Sequence, residues 1–139
     1  MQNFDFTPTP LTGVYTVDKK LIEDERGFFN RFFCEREFSR IGFNHSIAQI
    51  NHTKTLERGV IRGFHYQKPP HNEIKIVSCV KGSVLDVAVD IRQGSPTFLH
   101  WYAIELSEKN KKSLYIPNGF AHGFQSLEDD SELIYLHSE

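Results

Sequence analysis

The chain has 139 residues, 39% of them hydrophobic, with 12 Phe, 5 Tyr and one Trp; this suffices for one domain with one aromatic-rich core and excludes a disordered or coiled-coil chain. Sixteen basic residues against 18 acidic ones give a formal net charge of −2, which leaves no cationic surface for a phosphate backbone, so nucleic acid is not an expected partner. The start, MQNFDFTPTP, lacks the basic head and apolar middle of a signal peptide, and no apolar run is long enough for a bilayer, so a soluble cytoplasmic protein with no membrane partner is expected.

After the Pro-rich opening, GVYTV at 13–17 and GFFNRFF at 27–33 read as strands. The apolar spacing of EREFSRIGF predicts a short helix from Glu35 to Phe43, ended by Gly42. Strands are then expected at SIAQINH (46–52), VIRGFHY (60–66), IKIVSCV (74–80), SVLDVAVDI (83–91), FLHWYAIEL (98–106), SLYIP (113–117), GFQSL (123–127) and ELIYLH (132–137). Turn signals such as RQGSP, SEKNKK and PNG lie between them. Many short strands at this spacing imply an all-β sandwich or barrel, and without repeat or linker the whole of 1–139 reads as a single domain. Cys34 and Cys79 lie far apart and lack paired zinc spacing, so both are expected as reduced core residues.

In IKIVSCV-KG-SVLDVAVDI, two residues separate two alternating runs in the manner of a tight hairpin. Pairing Val80 with Ser83 brings Lys75 opposite Ala88 and Val77 opposite Asp86, so Lys75 and Asp86 become diagonal neighbours suited to an ion pair. The second run sorts Leu85, Val87, Val89 and Ile91 to a core face, and Val84, Asp86, Ala88 and Asp90 to a face that is either solvated or the lining of a polar cavity.

RGVIRGFHYQ sets Arg62 and His65 inside a half-buried strand. Histidine moves protons readily near neutral pH, but a lone strand histidine also serves as an ordinary hydrogen-bonding group. Strict alternation sends Arg62 and His65 to opposite faces unless a bulge at Gly63 re-aims one of them. A metal reading of His65, His71, Glu73 and His122 is open, although two histidines spaced two apart on one strand are lacking.

The segments DERGFFNRFF (24–33), QINHTKT (49–55), RGVIRGFHYQ (58–67), KIVSCVKGSVLDVAVDIRQGSPTF (75–98) and IPNGFAHGF (116–124), in that order and spacing, run nearly end to end through the chain. With them the chain resembles the dTDP-4-dehydrorhamnose 3,5-epimerases. The resemblance implies a cupin double-stranded β-helix, a jelly-roll barrel. It also implies an enzyme without cofactor or metal that inverts C3 and C5 of a nucleoside-diphosphate 4-keto-6-deoxyhexose on the way to rhamnose-type sugars. A homodimer with N-terminal strand exchange is implied as well, and Phe4 and Phe6 suit it. The C4 ketone acidifies the neighbouring C–H bonds, so a base can form an enolate and an acid on the opposite ring face can complete the inversion. By position the resemblance makes His65 the base, Lys75 the cation that steadies the oxyanion, and Tyr135 the acid, provided the site lowers its pKa; the hairpin register adds Asp86 beside Lys75. Arg26 matches a diphosphate-binding arginine, and Arg62 and His122 match groups in the sugar pocket; Phe29, Arg31, Gln49 and Asn51 complete the implied substrate contacts.

Two departures bear on these expectations. Relatives in the family usually continue for several tens of residues past the tyrosine, and that tail supplies an aspartate that orients the catalytic histidine, whereas this sequence stops at Glu139 and leaves Asp86 or Asp90 as stand-ins. Arg31 stands where the family usually has a glutamate near the nucleotide base, so the base preferred is open, as is inversion of one centre or both. A non-catalytic sugar-nucleotide binding module and a metal-dependent cupin are the other two readings.

Overall fold

Short alternating runs punctuated by glycine-bearing turns give twelve strands and almost no helix in the computed structural model, which describes residues 2–139. One sheet has six strands in the order β1 (Phe4–Pro8), β2 (Tyr15–Lys19), β10 (Lys112–Ile116), β7 (Lys75–Lys81), β12 (Ser131–His137) and β5 (Gln49–Thr55). The second has four, in the order β6 (Ile61–His65), β11 (Phe120–Ser126), β8 (Ser83–Asp90) and β9 (Trp101–Ser107). A separate hairpin pairs β3 (Ile22–Asp24) with β4 (Gly27–Phe29). Every pairing is antiparallel. Two antiparallel sheets closed over one core make the jelly-roll barrel that the sequence led us to expect. Among the described residues no helix is long and apolar enough to cross a membrane.

The six-stranded sheet carries a core on each face. Val77, Cys79 and Leu133 turn inward against Val84, Ala88, Leu106 and Phe124 of the other sheet. Ile76 and Leu136 turn outward and are covered by Phe4, Phe38 and Phe43. The helix provides that cover: α1 (Glu35–Phe38) continues into a 3-10 turn, Ser39–Ile41, and Gly42 at φ +100° ends it as the sequence predicts. Phe38 stacks edge-on with Phe4 and Phe6, so the opening segment forms β1 beside β2 and packs its aromatic residues against the helix. Cys34 and Cys79 are free thiols, and burial pushes that of Cys79 up to about 11.

Three expectations are corrected. GFFNRFF is a strand only over Gly27–Phe29, because its aromatic residues divide between an exposed hairpin and the helix approach. Residues 98–100 form a turn before β9, with His100 N–H donating to the Thr97 carbonyl. The KG link is not a hairpin: Lys81 and Gly82 turn a corner from one sheet to the other, with β7 pairing β10 and β12 while β8 pairs β11 and β9. Lys75 therefore faces Ile116 and His137, not Ala88.

The faces of β8 are also reversed. Val84, Asp86, Ala88 and Asp90 are fully buried inside the barrel, whereas Leu85, Val87 and Val89 are only half-buried on the outer surface. Small and acidic residues belong inside because the partner strands fill the space with Phe120, His122 and Phe124 on one side and Tyr102 and Ile104 on the other. Buried carboxylates require hydrogen bonds, and Asp90 accepts them from Arg92, Ser95 and Thr97. Burial works to raise its pKa, but these bonds outweigh it and hold the carboxyl far below the usual range.

Candidate functional site

Register explains how distant residues meet at one end of the barrel. On β12 the period of two puts Leu133, Tyr135 and His137 on one face, opposite Cys79, Val77 and Lys75 of β7 and opposite Thr53, Asn51 and Gln49 of β5. This face grades from apolar to polar along the strands, so the packed core opens into a cavity of about 300 Å³ whose walls include Asn51, Thr53, Lys75, Tyr135 and His137. The opposite wall is β6 and β11, which contribute Arg62, His65, His122 and Phe124.

Arg62 and His65 reach the same cavity because the β6–β11 register shifts between them: His65 pairs with His122, while Arg62 pairs with Phe124. The bulge available at Gly63 is thus realised. Gly63 has φ +121°, and a Cβ there would lie 2.7 Å from Gly123 Cα, a space only two glycines can share. Arg62 is further tied down by a 3.0 Å bond from Nη2 to the Lys54 carbonyl.

Asp86 is not the partner of Lys75. It is fully buried behind His122, whose Nε2 donates to Asp86 Oδ1 at 2.7 Å. The corner at Gly82 had moved β8 to the other sheet, so the diagonal pairing inferred from the sequence does not exist. Lys75 lies instead 3.5 Å from Glu73 Oε1. Glu73 Oε2 accepts from His137 Nδ1 at 3.1 Å and from Gln67 Nε2 at 2.9 Å. Neither stand-in acid supports His65: Asp86 serves His122 and Asp90 serves Arg92, Ser95 and Thr97. His65 itself is exposed and makes no side-chain hydrogen bond among the described residues.

Tyr135 also departs from expectation. Burial pushes its phenol up to about 12, against the lowering effect of the neighbouring Thr53 hydroxyl and of Arg62, with the Asp86 charge adding to the rise. The Thr53 hydroxyl lies beside it on the facing strand without closing a hydrogen bond. The site therefore does not lower this pKa; it keeps the phenol protonated, which suits a proton donor at rest.

Of the expected substrate contacts, Asn51, Arg62 and His122 line the cavity, and Gln49 lies on the same face of β5, with its amide oxygen 3.5 Å from Asn51 Nδ2. Arg26, Phe29 and Arg31 do not. Arg26 and Phe29 sit on the β3–β4 hairpin, where Arg26 is bonded to Asp24 at 2.6 Å with its side chain 83% exposed, and Arg31 is exposed just after it. The sequence reading did not include Thr53 or His137, and considered Glu73 only as a metal ligand; the polar alternation of QINHTKT and ELIYLH was the available signal for the first two. Among the described residues no group of three or more His, Cys, Asp or Glu is arranged to hold a metal ion.

Comparison with known proteins agrees with this geometry. The family model described as dTDP-4-dehydrorhamnose 3,5-epimerase matches residues 8–139. The dTDP-4-dehydrorhamnose 3,5-epimerase of Shigella flexneri is 46% identical over 128 residues, 91% of this chain and 70% of that protein. The crystal structure of the Bacillus anthracis epimerase with TDP and PPi bound superposes with TM-score 0.94 at 35% identity, covering 98% of this chain and 78% of that one. The Legionella pneumophila enzyme in complex with dTDP-4-keto-L-rhamnose superposes with TM-score 0.93 at 37% identity, covering 98% and 72%.

Proposed function

We propose, for a chain that belongs to the dTDP-4-dehydrorhamnose 3,5-epimerase family, that it epimerises a nucleoside-diphosphate 4-keto-6-deoxyhexose at C3, C5 or both. One observation carries the reading: His65 from β6, Lys75 from β7 and Tyr135 from β12 line a single cavity. The His65 imidazole takes the proton from the carbon beside the C4 ketone, and the electron pair left behind becomes the enolate. Negative charge on the C4 oxygen is met by the Lys75 ammonium, which is 9% exposed and so acts in a largely dry setting. Tyr135, holding its proton at neutral pH, returns one to the opposite face of the ring. Solvent then recovers the proton from His65 and replaces that of Tyr135, so the cycle balances without redox chemistry.

Arg62 and Asn51 on the cavity wall supply hydrogen bonds to sugar or phosphate oxygens. The hairpin bearing Arg26 and Phe29 stands off its own cavity and leaves Ile22, Phe28 and Phe29 more than half exposed. That supports a homodimer in which the hairpin is covered by the second copy, and a cytoplasmic location accompanies the reading.

The test is solvent exchange. In heavy water with dTDP-4-keto-6-deoxyglucose, NMR is expected to record deuterium entering C3 and C5, and His65→Asn is expected to abolish exchange while nucleotide binding persists. Exchange at the buffer rate in the unsubstituted protein would reject catalysis. Saturable nucleotide-sugar binding without exchange would select the second reading, a binding module.

A further inference from the structure

Behind the cavity wall, in an adjoining pocket that shares Lys75 with it, lies a carboxylate that the reaction outlined above does not use. Glu73 precedes β7, and its side chain is 7% exposed. Its two oxygens are divided between two wall residues. Oε1 faces Lys75 Nζ at 3.5 Å, and Oε2 accepts from His137 Nδ1 at 3.1 Å and from Gln67 at 2.9 Å. The convergence is built by register, since His137 lies directly opposite Lys75 on the neighbouring strand. Burial works to raise the pKa of Glu73, but the His137 and Gln67 bonds, with the charges of His137 and Lys75, bring it below the ordinary value, so the group is a carboxylate at neutral pH. The ring of His137 therefore donates through Nδ1. Its Nε2 is buried without a partner among the described residues.

We propose that Glu73 is a positioning residue for the reaction: it keeps the Lys75 ammonium charged and fixed at the cavity wall, and His137 holds the carboxylate in the orientation that does so. A buried ammonium without a counter-charge tends to lose its proton, and a neutral amine cannot meet the charge that grows on the C4 oxygen. The other charged or titratable groups facing this cavity are Arg62, His65, His122 and Tyr135, and none is an ionised acid placed to serve Lys75. Asp86 is bonded to His122 instead. The inference rests on the proposed epimerase reading, yet the state of Lys75 can be read without turnover.

Only the neutral amine reacts with an acetylating N-hydroxysuccinimide ester. Peptide mass spectrometry at pH 8 gives the acetylation of Lys75 relative to exposed Lys109 in the same sample. Glu73→Gln is expected to raise that ratio about tenfold or more, while Glu73→Asp, which retains the charge, stays within about threefold of the unsubstituted protein. In the exchange assay Glu73→Gln is expected to lower kcat at least tenfold with KM changed less than threefold, because the missing charge acts in the transition state. An unchanged Lys75 ratio in Glu73→Gln overturns the proposal, as does an equal rise in Glu73→Asp, which would mean simple opening of the site. If Glu73→Gln does not fold, His137→Leu decides: a rise of about threefold supports the proposal and none overturns it. If the unsubstituted protein shows no exchange, the epimerase reading falls while the acetylation ratio still judges the role of Glu73.

Discussion

Removing the His122 imidazole isolates the buried pair beneath the cavity. Asp86 is fully buried and His122 is 4% exposed, with a single 2.7 Å bond between them, and Asp86 Oδ2 has no partner among the described residues. In His122→Phe the carboxylate keeps its place among Phe124, Ile104 and Tyr102 and loses its one donor. Breaking a buried pair from one side costs about 3–5 kcal/mol, so with a urea m value of about 2 kcal/mol/M the midpoint should fall by roughly 1.5–2.5 M. Asp86→Ala is expected to cost less, about 1–3 kcal/mol, since an imidazole can remain neutral when its acceptor is gone. In Asp86→Ala/His122→Phe neither polar group remains, so the double variant should be more stable than the summed single losses by about 1–3 kcal/mol. Urea unfolding of the four proteins at pH 7, followed by tryptophan fluorescence, measures this coupling. A His122→Phe loss under about 1 kcal/mol, or additivity within about 0.5 kcal/mol, would refute the view that the pair is dry and mutually dependent.

The remaining predictions concern alkaline pH and the glycine contact. Tyr115 and Tyr135 are both raised to about 12 by burial, and Cys79 to about 11. Their folded values exceed the unfolded ones, so the stability they contribute is complete below about pH 9–10 and is lost as pH climbs toward 11–12. Absorbance at 295 nm should record these two phenols ionising only above the ordinary phenol range, together with unfolding; their ionisation in the folded protein near pH 10 would contradict the burial described. Gly63→Ala places a Cβ 2.7 Å from Gly123 Cα and 2.9 Å from the His122 carbonyl at φ +121°, and should cost about 2 kcal/mol or more by urea unfolding while displacing Arg62 and His65. Full stability and full exchange in that variant would mean the β6–β11 register does not aim those side chains.

How much of this was legible in the sequence depends on the range of the physics involved. Gly42 ending the helix is local and appears in the structure as expected, whereas the strand expected at 46–52 runs over Gln49–Thr55. His65, Lys75 and Tyr135 were singled out through motif order, and the structure brings the three to one cavity. What a side chain bonds to was not legible, because that depends on which strands pair. Lys81 and Gly82 have the spacing of a two-residue hairpin, and nothing within nine residues on either side distinguishes a turn within one sheet from a corner between two. That ambiguity produced the Lys75–Asp86 pair; on β8, alternation alone left the face of Asp86 and Asp90 open between solvent and a barrel interior, and it proved to be interior, while the face of Leu85, Val87 and Val89 expected as core is the outer one. The interior reading follows only once Phe120, His122 and Phe124 are known to lie opposite, filling the volume that Ala88 and the aspartates leave.

The same logic explains why the cavity is polar at one end. A jelly roll must close its barrel with side chains, and here the inward face of β12 runs from Leu133 through Tyr135 to His137, so closure is complete at the apolar end and incomplete at the other. Polar groups at the open end cannot all rely on water, because Lys75 and His122 are nearly inaccessible. Each is therefore supported from behind, Lys75 by Glu73 and His122 by Asp86. Two buried cation-or-imidazole and carboxylate pairs on opposite walls hold the site open and dry at once. His65, which makes no side-chain hydrogen bond among the described residues, is the most solvent-exposed member of the proposed catalytic set.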